Sequence, residues 1–127
     1  MNKSNKRILV VDDSATVRRY LRSLLTGWGY QVEEAVTGYD GLEKALESSF
    51  DLILSDINMP TMNGYAMVTA LRKEVTAQAV PIIITSTESK DEDEAKAYAA
   101  GANLYLVKPV QPDILQRYVL FTIGEVI

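Results

Sequence analysis

The chain of 127 residues contains no cysteine and no histidine. Without cysteine it can form neither disulfides nor thiolate metal sites, and this composition suits a reducing cytoplasm. Without histidine it has no imidazole of its own to act as a base, a metal ligand or a carrier of phosphate. If a phosphohistidine takes part in its function, a second protein has to supply it.

Excess positive charge and long apolar segments are also missing. The formal net charge is −4, which argues against nucleic acid as a direct partner. The polar, basic start from Met1 to Arg7 is not followed by the apolar segment of a signal peptide, and no stretch is long enough to span a membrane. We therefore expect a cytoplasmic protein that does not contact membranes. With 47% hydrophobic residues, a chain of this length can bury one core.

The chain does contain four apolar runs, which alternate with helical patterns and each lead into polar residues. These runs, with the polar residues after them, are Ile8 to Val11 before Asp12 and Asp13, Leu52 to Leu54 before Ser55 and Asp56, Ile82 to Ile84 before Thr85 and Ser86, and Leu104 to Val107 before Lys108. Short apolar runs between helices are typical of buried parallel strands. A weaker, more polar run from Tyr30 to Ala35 predicts an edge strand. The pattern predicts an α/β doubly wound fold with a five-stranded parallel sheet in the order 2-1-3-4-5, as in flavodoxin-like folds.

Helical periodicity between the runs predicts five helices. Ser14 is placed to cap the first helix and Pro112 to begin the last. Residues that recur at helical spacing mark the first helix (Val17, Leu21, Leu24, Leu25 and Trp28) and the fourth (Ala95, Tyr98, Ala99 and Ala102). The side chains expected to be buried are Leu42, Ala45 and Leu46 in the second helix and Val68, Leu71 and Val75 in the third, and Leu115, Val119 and Ile123 of the last can face the sheet.

The last helix has more apolar residues than one buried stripe requires. Ile114, Tyr118 and Phe121 are expected near a second face, and Val126 and Ile127 extend the apolar character towards the chain end. An exposed apolar patch of this kind indicates a site for a target protein or a second copy. Deeper burial of the helix, or scattered single residues, would explain the same pattern.

The polar residues after the strands should converge, because the carboxyl ends of parallel strands share one edge of the sheet. Asp12, Asp13, Asp56, Ser86 and Lys108 would then form one cluster. Three carboxylates repel each other unless a cation lies among them, and Mg2+ is the hard, oxygen-binding cation that fits this need. Asp56 is a candidate nucleophile, since a carboxylate can hold a phosphoryl group as an acyl phosphate. Taken singly, each residue also has an ordinary explanation as a helix cap, loop hydroxyl or solvated lysine.

Together these motifs resemble the receiver domain of two-component response regulators, and in size the single-domain chemotaxis regulators among them. The resemblance covers the chain from about Arg7 to the last helix. The motifs that carry it are Val10-Val11-Asp12-Asp13-Ser14, Asp56-Ile57-Asn58-Met59-Pro60 with Asn63-Gly64, Ser86, and Lys108-Pro109. It implies that residues 1–127 form a single receiver domain.

The resemblance implies a role for each residue of the cluster. Asp56 would accept a phosphoryl group from a sensor histidine kinase in a Mg2+-dependent step. Asp12, Asp13, Asp56 and the main-chain carbonyl of Asn58 would hold the metal ion. Lys108 would neutralise phosphoryl oxygens, and the Lys108–Pro109 peptide bond is expected to be cis, as is typical of the family.

The resemblance also implies a switch. Ser86 would move towards the phosphoryl group and the ring of Tyr105 would turn inward, altering the face formed by the fourth helix, fifth strand and fifth helix. A protein target or a second copy would bind there. Asn58 and Glu88 would tune the lifetime of the phosphoryl group, which we expect to be short because both are polar. The simpler interpretations are a half-buried strand aromatic for Tyr105 and solvated rim residues for Asn58 and Glu88.

Three functional classes are compatible with these observations. The leading interpretation is a signalling switch that catalyses only its own phosphorylation and dephosphorylation and is not an enzyme acting on a metabolite. A phosphorylation-independent receiver-like interaction module is the first alternative. A Mg2+-dependent aspartyl phosphohydrolase like the haloacid dehalogenases is the second, but these need another aspartate two residues after the nucleophile. Ser14 and Ala15 occupy that spacing after Asp12 and Asp13.

Overall fold

Strands and helices alternate throughout the computed structural model, which describes residues 5–124. Within these residues the strands are β1 (Arg7–Val11), β2 (Gln31–Ala35), β3 (Leu52–Asp56), β4 (Ile82–Ser86) and β5 (Leu104–Val107). The helices are α1 (Ala15–Gly27), α2 (Gly38–Glu47), α3 (Gly64–Arg72), α4 (Asp91–Ala100) and α5 (Pro112–Ile123).

All five strands are parallel and lie in the order β2-β1-β3-β4-β5. The predicted fold class and strand order are therefore confirmed, with β2 at an edge. The chain leaves β1 towards β2 on one side and returns to β3 on the other, so the direction of winding reverses between β1 and β3. In sheets of this kind the crevice at such a reversal is the usual ligand site.

Each face of the sheet carries its own core layer. Successive side chains of β1 point to opposite faces, so Leu9 and Val11 pack with α2, α3 and α4, whereas Ile8 and Val10 pack with α1 and α5. The buried helix residues are Ala45, Met67, Val68, Leu71 and Ala97 on the first face and Leu21, Leu25, Leu115 and Val119 on the second. The helix cap at Ser14 and the start of α5 at Pro112 are as predicted.

Two side chains predicted to be buried are exposed. Leu46 is 40% exposed because α2 approaches the sheet through its glycines, where a Cβ on Gly41 would lie 2.9 Å from Cγ2 of Val11 on β1. Val75 is 83% exposed because α3 ends at Arg72, before Val75 is reached. The Arg72 guanidinium donates hydrogen bonds to main-chain oxygens of the segment after the helix, including that of Val80 at 2.6 Å.

The predicted fourth helix is present, but its fully buried residue is not one of those that marked it in the sequence. Ala97 is its fully buried residue, whereas Ala95, Tyr98 and Ala99 are exposed, and Ala102 is buried but lies beyond the end of α4. Alanines occur on several sides of this helix, so they mark no single apolar stripe.

Among residues 5–124, every helix falls short of the length and apolar character needed to cross a lipid bilayer.

Candidate functional site

The polar residues at the ends of the strands meet at one edge of the sheet. Asp12 comes directly after β1, Asp56 and Ser86 end β3 and β4, and Lys108 comes directly after β5. The strand registers bring these ends level, with the last residue of β4 paired with the last residue of β5. The structure thus brings together the groups that the sequence placed at this edge.

Three carboxylates form the acidic cluster of the site. Asp12, Asp13 and Asp56 each offer an oxygen, and these oxygens all lie within 4.8 Å of one another. Asp12 is 1% exposed and Asp56 is 7% exposed, whereas Asp13 faces solvent. Burial, and then the neighbouring charge of Asp12, raise the pKa of the Asp56 carboxyl above its ordinary value, against the opposing effect of Lys108.

The ammonium group of Lys108 lies between the two buried carboxylates. Its Nζ donates to Oδ2 of Asp12 at 2.9 Å and to Oδ1 of Asp56 at 3.1 Å. Burial works to lower the pKa of Lys108, but the two carboxylates outweigh it and the net effect is to raise that pKa. The Lys108–Pro109 peptide bond is cis, as the family resemblance implied.

The acidic cluster has the donor set that a magnesium ion requires. Its ligand atoms are all carboxylate oxygens, and one ammonium against three carboxylates leaves an excess of two negative charges. Exposure of Asp13 gives the cluster access to solvent. Asn58, the further predicted ligand, lies two residues after Asp56 in the chain and is on the loop that leaves β3. The residues present therefore fit a hard divalent cation.

The main chain of Asp12 is held from two sides. Its N–H donates to the carbonyl of Ala35 on β2 at 3.1 Å, and its own carbonyl accepts a hydrogen bond from Nη1 of Arg18 at 2.7 Å. Its Oδ1 accepts from the N–H of Ser14 at 2.9 Å. Sequence reasoning missed Arg18, although its place in the first turn of a helix that begins beside Asp12 was a usable signal.

Gly64 sets the path of the loop that leaves Asp56. Its N–H donates to the carbonyl of Ile57 at 2.8 Å, so the loop folds back on the end of β3. A Cβ at Gly64 would overlap the carbonyl oxygen of Asp56 and lie 3.0 Å from the Cα of Ile57. The loop can approach this closely only because glycine has no side chain.

Ser86, Glu88 and Tyr105 form a connected group beside the cluster. The buried Oγ of Ser86 accepts from the N–H of Glu88 at 3.0 Å, and the hydroxyl of Tyr105 donates to the carbonyl of Glu88 at 2.7 Å. Tyr105 is 7% exposed, with its ring packed in the core, and burial raises its pKa. The segment between β4 and α4 is thus tied both to the end of β4 and to β5.

A second tyrosine, which the sequence did not single out, reaches the same region from α3. The hydroxyl of Tyr65 donates to the main-chain carbonyl of Asp93 in α4 at 3.1 Å. Burial, together with the proximity of Tyr105 and Asp93, raises the pKa of Tyr65. Tyr65 therefore links the start of α3 to the first turn of α4.

The elements α4, β5 and α5 each carry exposed apolar side chains. Ile114 is 38% exposed and Phe121 is 79% exposed, and Tyr98 and Val107 are also exposed. Tyr118, predicted to lie near a second face of α5, is partly buried and packs against the core beneath the helix. The predicted apolar extension at Val126 and Ile127 lies outside the described residues.

Residues 8–120 match the protein family described as the response regulator receiver domain. The transcriptional regulatory protein ZraR of Salmonella typhimurium is 43% identical over 112 residues, which are 87% of this chain but 24% of that protein. The chain therefore spans about a quarter of the length of ZraR. Protein PilH of Pseudomonas aeruginosa is 38% identical over 87% of this chain and 92% of its own length.

Solved structures agree with these matches. The chemotaxis protein CheY4 of Vibrio cholerae superimposes with a TM-score of 0.89 at 36% identity, over 94% of this chain and 99% of that one. The receiver domain of the sensor histidine kinase PA1611 of Pseudomonas aeruginosa superimposes with a TM-score of 0.89 at 29% identity, over 96% of this chain and 100% of that one. That structure has a magnesium ion coordinated in its active site cleft.

Proposed function

Because the chain belongs to the response regulator receiver domain family, we propose that it is a phosphorylation-driven signalling switch whose phosphoacceptor is Asp56. The observation that carries this proposal is the acidic cluster itself. A nearly buried carboxylate lies close to a second carboxylate and shares an ammonium group with it, at the reversal point of a parallel sheet. Receiver domains take their phosphoryl group from histidine kinases, and this chain has no histidine of its own.

In the proposed reaction a carboxylate oxygen of Asp56 attacks the phosphorus of a phosphohistidine on the kinase. The bond between phosphorus and the imidazole nitrogen breaks, the nitrogen keeps the electron pair, and an acyl phosphate forms on Asp56. Lys108 already contacts Asp56 and would neutralise the phosphoryl oxygens.

Magnesium would be held by the carboxylates of Asp12, Asp13 and Asp56 and by the main-chain carbonyl of Asn58. When bound, it would supply charge neutralisation for the transferred group. The excess negative charge of the acidic cluster supports this assignment, and so does the magnesium ion in the structure of the PA1611 receiver domain.

The signal would leave through the segment that joins β4 to α4. Ser86 and Tyr105 act as the switch residues, because the side chains of both form hydrogen bonds with the main chain of Glu88. Ser86 also lies at the end of β4, the strand next to the one that ends in Asp56. Asn58 and Glu88 tune the lifetime of the phosphoryl group. The output is altered binding of a protein target, or of a second copy, at the face formed by α4, β5 and α5.

This assignment makes the chain a switch that catalyses only its own phosphorylation and dephosphorylation, and a single receiver domain over residues 1–127. The match to PilH supports the proposal of a single receiver domain, since it covers 92% of that protein. A cytoplasmic location, expected from the absence of cysteine, belongs to the same proposal.

The test is intact mass after incubation with acetyl phosphate. The protein is treated with Mg2+, with a chelator, and as the Asp56→Asn and Asp113→Asn variants, the second of which alters an exposed carboxylate with the same change in net charge. We expect a Mg2+-dependent gain of one phosphoryl group in the wild type and in Asp113→Asn, and none in Asp56→Asn.

Two other outcomes would contradict the proposal. If no adduct forms and beryllofluoride does not bind, the chain is a phosphorylation-independent interaction module. If phosphate monoesters such as p-nitrophenyl phosphate are hydrolysed continuously, at a rate lost in Asp56→Asn, the chain is an aspartyl phosphohydrolase. Turnover of acetyl phosphate alone is expected of a switch that dephosphorylates itself.

A further inference from the structure

An ion-pair network lies directly behind the acidic cluster. The guanidinium of Arg18, in the first turn of α1, donates Nη1 to the main-chain oxygen of Asp12 at 2.7 Å and Nε to Oε1 of Glu34 at 2.9 Å. Arg22, one turn further along, donates Nη1 to Oε2 of the same carboxylate at 2.8 Å. Arg18 is therefore the residue that joins the site to Glu34.

Glu34 is a firm anchor for Arg18. It lies on β2, paired with Val10 of β1, and Lys44 of α2 donates to its main-chain oxygen. Burial works to raise the pKa of Glu34, but hydrogen bonds from Arg22 and Arg18 outweigh it and the net effect is to lower that pKa. Its carboxylate is therefore ionised at neutral pH. The side chain of Arg18 is only 15% exposed, which limits its freedom to leave this arrangement.

The contact between Arg18 and Asp12 matters because Asp13 is the next residue in the chain. The carbonyl of Asp12 and the N–H of Asp13 belong to one planar peptide unit, so holding the oxygen sets the direction in which Asp13 leaves the strand. The carboxylate of Asp12 is held by Ser14 and Lys108. Within residues 5–124, no group donates a hydrogen bond to the exposed carboxylate of Asp13, so its place depends on the main chain.

We propose that Arg18 is a positioning residue for the divalent cation site. By holding the main-chain oxygen of Asp12 against the anchor at Glu34, it keeps the Asp13 carboxylate where it can share a cation with Asp12 and Asp56. This inference rests on the proposed function, because it requires the cation site. It predicts an effect on the affinity for Mg2+ and no effect on phosphoryl transfer once Mg2+ is bound.

The first test is calorimetric titration of the metal-free protein with Mg2+. Groups that orient metal ligands typically change affinity by about 10–100-fold, and we expect about tenfold weaker binding for Arg18→Met because it acts through the main chain. Arg22→Met is the matched control, since it loses an ion pair with the same glutamate but does not contact Asp12. It should bind Mg2+ as the wild type does. Phosphorylation of Arg18→Met by acetyl phosphate should recover at saturating Mg2+.

Two further measurements separate positioning from a general loss of structure. Glu34→Gln should weaken Mg2+ binding less than Arg18→Met, and the double variant should bind no more weakly than Arg18→Met alone, because both act through one contact. In the metal-free protein, amide hydrogen exchange at Asp13 should be faster in Arg18→Met and unchanged in Arg22→Met. If circular dichroism shows that Arg18→Met does not fold, the Mg2+ titration of Glu34→Gln against the wild type replaces it as the test.

Equal Mg2+ affinity in the wild type and in Arg18→Met, or equal weakening in Arg22→Met, would overturn the positioning role and leave the proposed function standing. Failure of the wild type to bind Mg2+ would overturn both. The expected weakening of Mg2+ binding in Arg18→Met, without any phosphoryl adduct on Asp56 of the wild type, would overturn the proposed function alone.

Discussion

Replacing Asp56 with asparagine should stabilise the metal-free protein. Asp56 is 7% exposed and lies in a cluster with two other carboxylates. Asparagine has nearly the same shape and still offers an oxygen to the ammonium of Lys108, which keeps Asp12 as its ionic partner. The substitution therefore removes a buried charge without opening a cavity or breaking the hydrogen bond.

Coulomb's law with an effective dielectric constant of about 20 sets the magnitude. At the 4.8 Å limit of the cluster, Asp12 repels Asp56 by about 3.5 kcal/mol. Asp13 is exposed, so water with a dielectric constant of about 80 screens its charge and its repulsion adds only about 1 kcal/mol. Lys108, at 3.1 Å, attracts Asp56 by about 5 kcal/mol. These energies nearly cancel, so the cost of burying the carboxylate decides the sign. We expect the free energy of unfolding of Asp56→Asn to exceed that of the wild type by about 1–3 kcal/mol.

The gain should depend on pH. The pKa of Asp56 in the folded protein is raised above its ordinary value of 3.8. The folded state therefore binds this proton more readily than the unfolded state, and the ionised carboxylate costs stability at pH values above the folded-state pKa. The advantage of Asp56→Asn should be full at neutral pH, shrink as the pH falls through that pKa, and vanish below the ordinary value.

Urea unfolding with a chelator present measures this gain. The midpoint for Asp56→Asn should rise at pH 7 with an unchanged slope. Asp113→Asn is the control, because its side chain is 71% exposed and its removal changes the net charge equally. It should stay within about 0.5 kcal/mol of the wild type. A lower midpoint for Asp56→Asn would refute the reasoning, and an equal gain in Asp113→Asn would assign the effect to net charge.

Three smaller predictions concern the surroundings of the site. Gly64→Ala should lower the free energy of unfolding in urea by about 1–3 kcal/mol, since its Cβ meets the carbonyl of Asp56, and a wild-type midpoint would contradict this. Tyr65→Phe, which loses the hydrogen bond to Asp93, should lower the free energy of unfolding in urea by about 1 kcal/mol. Tyr39→Phe, at an exposed position, should leave it unchanged, and an equal loss in both variants would contradict the prediction. Added Mg2+ should raise the thermal midpoint of the wild type progressively with concentration, and an unchanged midpoint would count against the cation site.

The fold and the meeting of the charged groups could be predicted because both depend on local signals and one topological rule. Each apolar run marks a strand, and parallel strands joined by right-handed crossovers end at a common edge. Asp12 comes directly after its strand and Asp56 ends its own, so their position along the chain was enough to place them together. No side-chain detail was needed for that step.

The remaining features depend on contacts between elements that are distant in the chain. Leu46 faces solvent because Gly41 lets α2 approach Val11, and nothing within α2 reveals that approach. The bond between Arg18 and Glu34 joins residues on different elements, and either could have been a solvated surface charge. Helix periodicity identifies an apolar face but does not say how closely that face approaches its neighbour.

The excess negative charge of the acidic cluster is what makes the site responsive. Three carboxylates against the single ammonium of Lys108 leave two negative charges unbalanced. Under the proposed function, a divalent cation would neutralise this excess and a phosphoryl group on Asp56 would add to it again. Either event changes the electrostatic energy of the same few side chains by an amount comparable to the folding stability itself. A site with balanced charges would respond to neither event as strongly, so the charge imbalance of the acidic cluster is the property that the switch would use.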